Sequence, residues 1–385
     1  MWLRLTIFVA FLAGLAPGQD RLFRPALPGY QFEFPRDHFS HPEFKTEWWY
    51  YTGNLRAADG AAFGFELVFF REAVPNPYGN PSRWKTEQLY IAHLAVTDLR
   101  DDRFAYAQRM RRGALDLAGA TAVPGYQPGR AAEESKSAIH NPQSAMRVWI
   151  GDWSASMAAA VHRLNAPAKN IAVRLDLLPL KPPVIHGRGG VSPTGPGVGN
   201  ASHYYSLTRL QATGTIHSAG RDYAVAGLAW MDHEFTSNVP GPLQKGWDWF
   251  YLQFDDGSEL MLYRLRRPDG STDPYSAGTY QPPEGPPLPL EPHQFRLHPR
   301  PASTWESPHS GGRYPLQWQL QIPVLEIELE VAAAMAGQEL ITNETAGVTY
   351  WEGAARAAGQ KGGKPTVASG YLEMTGYAPS RAWPR

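Results

Sequence analysis

Apolar and polar positions alternate with a period of two along much of the chain. Phe63, Phe65, Leu67 and Phe69 share one face of an extended run, the pattern of a half-buried β-strand whose successive side chains point to opposite faces. The preceding run, Trp48–Leu55, reaches a turn at Ala58-Asp59-Gly60, and a Pro- and Gly-rich loop over 75–81 precedes another run at Leu89–Thr97. Further strands are predicted at Ala145–Ile150, Ser154–Val161, Ile171–Leu177, Tyr204–Leu210, Gly214–Ser218, Tyr223–Ala229, Trp249–Phe254, Glu259–Arg266, Leu316–Gln321, Val324–Val331 and Val367–Met374. Helical periodicity is weak; only Ala131–Ile139 and Ala354–Lys361 suggest single short helices. The chain turns at 238–242, and a fresh series of strands begins at Trp247. An all-β protein of two antiparallel β-barrels or sandwiches in tandem is the economical reading, with residues 19–238 and 239–385 as the two domains.

Two segments fall outside this rhythm. Residues 181–200 form a long irregular loop rich in Gly and Pro, and such loops in compact domains tend to be lids or functional elements. At the other extreme, Arg4 is followed by the apolar run Leu5–Leu15 and the small residues Ala16-Pro17-Gly18. That run is too short to span a bilayer and reads as a secretory signal peptide over residues 1–18. The expectation is an exported protein, periplasmic or secreted, with no transmembrane segment in the mature chain. Residues 19–42, rich in Pro and aromatics, are expected to wrap a surface.

Composition narrows the function. Lys plus Arg and Asp plus Glu are 36 each, so the formal net charge is zero, without the basic footprint that nucleic-acid binding requires. The absence of cysteine removes disulfides, zinc–thiolate sites, iron–sulfur clusters and thiol nucleophiles. No G-x-S-x-G elbow is present, and His233-Glu234 continues as Phe235-Thr236-Ser237 without the second histidine of a zincin. Gly195-Pro196-Gly197-Val198-Gly199 resembles a phosphate loop only in composition, since proline interrupts it and strand residues follow. No cofactor and no metal is expected.

Polar residues embedded in aromatic stretches remain. In Glu47-Trp48-Trp49-Tyr50-Tyr51 the carboxylate is either an anchor held by hydrogen bonds or an acid of raised pKa. In Trp230-Met231-Asp232-His233-Glu234-Phe235, three consecutive titratable residues close an apolar strand, and each must find a partner or water. A carboxylate beside an imidazole can set its tautomer and raise its pKa, as a general acid near neutrality requires; a surface turn is the alternative. Asp248 sits between Trp247 and Trp249, His93 lies within an apolar strand, and His203-Tyr204-Tyr205 follows the long loop. These residues suggest an aromatic-lined pocket for a bulky apolar ligand.

Glu47–Leu55, Gly199–Ser206, Ala229–Phe235 and Gly246–Phe250 together resemble the carotenoid 1,2-hydratase/AttH-like family over about residues 40–375. The resemblance implies two lipocalin-like β-barrels and cofactor-independent chemistry, in the hydratase branch the addition of water across an isoprenoid double bond. It implies His233 as proton donor, Asp232 or Glu234 as its orienting carboxylate, and Tyr263 as a further catalytic residue. Trp48, Trp249 and Tyr251 would line the pocket, with Glu47, Trp49, Tyr205, Phe235 and Trp247 as further substrate contacts. Two positions depart from the hydratase branch: Phe235 replaces the Trp of its His-x-Trp element, and Leu265 stands where its Tyr-x-Asp has Asp. A lipocalin-like carrier that binds a hydrophobic molecule without turnover is the alternative.

Overall fold

The computed structural model describes residues 23–75, 82, 85–122, 146–238, 241 and 244–379; the expected signal peptide and the helix suggested at 131–139 lie outside these residues. The first sheet draws on thirteen strands: β1 (Thr46–Ala57), β2 (Ala62–Ala73), β3 (Gln88–Asp98), β4 (Arg103–Arg112), β5 (Ala118–Ala120), β6 (Met146–Ile150), β7 (Trp153–Ala158), β8 (Val161–Pro167), β9 (Ile171–Pro179), β10 (Val184–Ile185), β11 (Ser192–Pro193), β12 (Ala201–Ser218) and β13 (Arg221–Thr236). The second contains β14 (Gly246–Phe254), β15 (Glu259–Arg266), β16 (Ala277–Gln281), β17 (Leu288–Leu290) and β18 (Arg296–Pro299). After a separate hairpin, β19 (Thr304–Glu306) and β20 (Arg313–Pro315), it continues with β21 (Gln317–Ile322), β22 (Ile327–Ala333), β23 (Glu339–Ile341), β24 (Thr349–Lys361) and β25 (Lys364–Thr375).

Every strand pairing is antiparallel. The first sheet runs β4-β3-β2-β1-β13-β12-β9-β8-β7-β6-β5 and curls until its ends meet. Arg109 of β4 donates to the Ile150 carbonyl at 3.3 Å and the Pro167 carbonyl at 3.2 Å across that closure. The second sheet, β17-β16-β15-β14-β25-β24-β22-β21-β18, is a half-barrel. The protein is thus all-β with two barrel-like domains in tandem.

Because side chains alternate across a strand, β1, β2, β12 and β13 serve two cores. Trp49, Tyr51, Phe65, Leu67, Tyr205 and Met231 fill the first barrel, while Tyr50, Val68, Tyr204 and Trp230 face the second sheet. There they meet Trp249, Tyr251, Met261, Tyr263 and Tyr371. Burial on both faces explains the unbroken aromatic run Trp48–Tyr51, since a strand with no solvent face has no reason to alternate in polarity. Each large side chain buried in this seam contributes roughly 1.5–3 kcal/mol. Asn54 Nδ2 also donates to the Gly370 carbonyl at 3.0 Å, and Gln253 Nε2 to the carbonyls of Thr208 at 2.7 Å and Ala229 at 3.0 Å.

Several local readings change. Ala354–Lys361, read as a short helix, belongs to β24, whose pairing with β22 and β25 along its length overrides alanine's helical preference. Tyr204–Leu210 and Gly214–Ser218 are one strand, interrupted by an irregularity between Leu207 and Leu210. Residues 323–325 form a 3-10 turn before β22, and the polar strand β4 lacks the expected alternation. Residues 23–45 do more than wrap a surface. Phe39 enters the first core, with Phe32 and Phe34 against it, and the 181–200 loop docks on this strap. Gly190 lies at φ +80°, where a Cβ would sit 2.3 Å from the Tyr30 carbonyl oxygen.

The central strands tolerate no added bulk at one point. A Cβ on Gly370 would sit 1.8 Å from the Tyr251 carbonyl oxygen in β14. Gly370→Ala is expected to cost roughly 3 kcal/mol, the upper end for overpacking, read as a lowered denaturation midpoint with an unchanged slope.

Candidate active site

Strand alternation divides the Asp232-His233-Glu234 cluster. The three lie inside β13, which continues to Thr236, so His233 points into the first barrel and Asp232 and Glu234 point into the seam. The expected pairing of His233 with Asp232 or Glu234 is therefore not made. Glu47, on the neighbouring strand, supplies the carboxylate instead, with Oε1 at 2.9 Å from His233 Nε2.

On the barrel side, Glu47 is the hub of a fully buried network. Its Oε1 also meets His41 Nδ1 at 2.9 Å, and its Oε2 accepts from Ser40 Oγ at 2.8 Å and Arg71 Nε at 2.9 Å. Burial alone would raise the Glu47 pKa, but the Arg71 charge and the two imidazoles hold it well below the usual carboxylate range. His41 is desolvated too, yet its bonds to Asp37 and Glu47 lift it to about 9, so it is an imidazolium. Burial lowers the pKa of His233 and brings His38 down to about 3. Both are neutral, and the proton order follows. His233 Nε2–H donates to Glu47, Tyr205 O–H donates to His233 Nδ1 at 3.1 Å, and His38 Nδ1–H donates to Tyr205 at 2.7 Å. His233 thus has its only proton committed to an ionised carboxylate.

Ligand atoms of His41, Glu47 and His233 lie within 4.8 Å of one another, the one such grouping among the described residues. Each of those atoms is already matched within the network, and Arg71 neutralises the shared carboxylate. The donor set is that of an internal ion-pair cluster. Phe235 belongs to the same end, stacked on His41 with ring centroids 3.7 Å apart.

The seam is chemically different. Asp232 accepts from Trp230 Nε1 at 2.6 Å, Tyr204 Oη at 2.8 Å and Ser206 Oγ. Burial outweighs these donors and pushes its pKa up to about 7. Glu234 flanks Trp48 and Tyr204 in register, and burial, reinforced by the charges of Asp232 and Glu373, lifts it to about 8. Glu373 of β25, beside Trp249 and Glu352, is raised to about 7, again mainly by burial. Glu234, Glu373, Trp48 and Trp247 are only half-buried, and form the open side of the seam. Deeper, Tyr50 Oη donates to Glu352 at 2.5 Å and Tyr350 Oη to Glu66 at 2.9 Å. Burial lifts Glu66 to about 8, and burial together with the charge of Glu66 raises Glu352. The 181–200 loop closes one flank. His186 bridges Ser206 at 2.6 Å and Thr279 at 2.8 Å, and Ser192 Oγ lies 2.9 Å from Tyr263 Oη.

Of the residues singled out in the sequence, the structure gathers Trp48, Asp232, Glu234, Trp247, Trp249, Tyr251 and Tyr263 at the seam. It places Glu47, Trp49, Tyr205, His233 and Phe235 on the barrel side. Asp248 faces away from both, held by Arg264 Nη2 at 2.7 Å and by Tyr377 Oη at 2.8 Å. His93 is a satisfied structural residue, 2.7 Å from Tyr350 Oη and 3.1 Å from Thr345 Oγ1. Sequence reasoning missed Glu66, Glu352 and Glu373. The signal of Glu66 and Glu373 was a lone polar residue inside an apolar run, as in Phe65-Glu66-Leu67 and Leu372-Glu373-Met374.

The model of the AttH-like family matches residues 25–377. The AttH of Nitrosomonas europaea has a similar solved structure, 31% identical, with a TM-score of 0.79 over 93% of this chain and 100% of that one. Kievitone hydratase from Nectria haematococca superposes with a TM-score of 0.65 at 14% identity, covering 92% of this chain and 98% of its own. CghA gives a TM-score of 0.56 at 13% identity, covering 93% and 97%. These last two likenesses are of fold. No curated protein matches the chain in sequence. Among the described residues no helix is long and apolar enough to cross a membrane.

Proposed function

The chain belongs to the AttH-like family, and from that premise we propose that it is an exported, cofactor-independent hydratase-like enzyme. Its substrate is an apolar, isoprenoid-like alkene held in the seam between the two sheets. The observation that carries this reading is Glu234, a half-buried carboxyl raised to about 8 beside Trp48. At neutral pH it is a carboxylic acid at the edge of an aromatic site, which is what protonating an alkene requires.

The Glu234 O–H bond breaks and its proton adds to the less substituted alkene carbon, with the π pair forming the new C–H bond. The resulting tertiary cation is stabilised by indole and phenol faces. A water oxygen then bonds to the more substituted, cationic carbon and passes its proton to Glu373, which reaches the site from the opposite sheet. Proton exchange with solvent at the open side resets both carboxyls. Asp232, behind them, adds negative potential. The acid role thus moves from His233 to its neighbour, because the His233 proton is held by Glu47; His233 becomes a positioning residue for β13.

Turnover requires Glu234 protonated and Glu373 ionised. The rate is expected to rise through about pH 7 and fall through about pH 8, a narrow bell. Incubation of the mature protein with isoprenoid alkenes in heavy-oxygen water tests the reading, and the expected product carries one labelled oxygen. A rate independent of pH from 6 to 9 overturns the assignment of the two carboxyls. A tightly co-purifying, unaltered lipid with no labelled product favours the carrier.

A further inference from the structure

Five carboxyls, Glu66, Asp232, Glu234, Glu352 and Glu373, converge on the seam, and each is influenced by the charge of another or itself influences one. Among the described residues, none of the five forms an ion pair with lysine or arginine, and none has a basic side chain among the causes of its altered acidity. Three other buried acids behave differently. Glu47 has Arg71, Asp248 has Arg264, and Glu259 has both Lys181 and Arg209. Asp98 and Glu339 are buried without a base as well, but each stands alone and is held by hydroxyl groups, whereas the seam gathers five acids.

A second observation is geometric. Glu66 Oε2 and Glu352 Oε2 are buried without a hydrogen-bond partner, and Thr52 Oγ1 and Tyr251 Oη beside them interact with each other but make no well-aligned hydrogen bond. All four belong to one neighbourhood: Thr52 is the cross-strand partner of Glu66, and Tyr251 is that of Tyr371. Buried polar atoms left unmatched are rare and costly, and oxygen lone pairs of this kind complement a positive charge. Around them stand π faces. Trp230 stacks on Tyr251 at 4.7 Å, and Trp249 packs edge-on to Tyr50 at 5.5 Å. Aromatic faces suit an alkylated ammonium, whereas a small metal ion would have to shed its water against indole.

We infer that the seam is a receptor for organic cations, binding substituted ammonium ions in preference to uncharged molecules of the same shape. This inference rests on the reading of the seam as the active site, and it deepens that reading: an ammonium ion is a stable mimic of the tertiary cation formed during hydration. Binding of a cation favours ionised carboxylates, so it releases protons and strengthens as pH rises, opposite in direction to the loss of turnover above pH 8.

Choline and 3,3-dimethylbutan-1-ol form the test pair, since they differ in charge but hardly in shape. Calorimetric titration of the unmodified protein is expected to show choline binding at least tenfold tighter than the alcohol at pH 8. The ratio should shrink several-fold at pH 6, with proton release evident from two buffers of different ionisation enthalpy. Glu66→Gln should reduce the ratio, and Tyr251→Phe, which removes one oxygen and keeps the ring, should do so without disturbing the fold. Equal affinities at both pH values overturn the inference, as does a preference that neither substitution changes. The outcome is separate from the labelling experiment. A cation preference without labelled product leaves this inference standing and removes hydration, while labelled product without a cation preference does the reverse.

Discussion

Glu234→Gln folds normally and loses about 10²- to 10⁴-fold in turnover, the usual range for removing a general acid. The amide preserves the shape and can still bond to Ser202, the side chain that holds Glu234 in place, but it has no proton of suitable acidity to give. Because the lost interaction acts in the transition state, the fall should appear in kcat with little change in KM. The direct comparison is His233→Gln. If the imidazole were the donor, it would show the larger loss of turnover in the fraction that remains folded. Single-turnover measurements on both variants, with folding checked by near-UV circular dichroism, separate the two assignments. Retention of more than half the wild-type rate by Glu234→Gln would sink the mechanism.

Glu47→Ala gives the largest expected loss of stability, about 3–5 kcal/mol, because it leaves a buried guanidinium and imidazolium without their shared counter-charge. The side chain is fully buried and ties the strap, β2 and β13 to β1 through Ser40, His41, Arg71 and His233. Denaturant unfolding measures the loss directly. The pH dependence has a definite sign. The Glu47 pKa is depressed in the folded protein, so its contribution is present above the usual carboxylate pKa and disappears as pH falls through the folded value. For the seam carboxyls the sign reverses. Their raised values mean that the folded state binds more protons than the unfolded chain between about pH 4.5 and 8, so their contribution is lost as pH rises across that window. A Glu47→Ala protein should therefore lose most of the acid limb and keep the alkaline one.

Much of the fold was legible because strand alternation is a local signal. Phe63–Phe69 announces its inward face without reference to any other part of the chain. The strand β4 was not legible, since its half-exposed, polar residues reflect a barrel closure set by distant partners; β8 was not legible because its buried face opens with a polar residue, His162. The candidate site was legible in its aromatic anchors and in Asp232 and Glu234, but their division of labour was not. Adjacent residues in a strand face opposite ways, and the sequence motif ends before showing that β13 continues through it. Glu352 meets Tyr50 across 302 positions of chain, a distance at which no spacing rule applies. A lone acid in an apolar run is also ambiguous by itself: Asp248 gave the same signal as Glu373 and proved to be held by Arg264.

The wall shared by the two domains has a simple arithmetic. On β1, β13 and the first half of β12, seam-facing residues carry even numbers (48, 50, 52; 230, 232, 234; 204, 206) and barrel-facing residues odd ones (47, 49, 51; 231, 233; 205, 207). Substitution at even positions therefore alters the seam while the odd set keeps the barrel shut. Changes of length do not separate the two faces in this way. Inserting one residue ahead of Met231 would turn the imidazole of His233 toward the ligand and drive Asp232 and Glu234 into the barrel, so a single indel would exchange the two ledgers at once. Along these three strands a side chain can be exchanged on one face alone, whereas a change of length is felt on both.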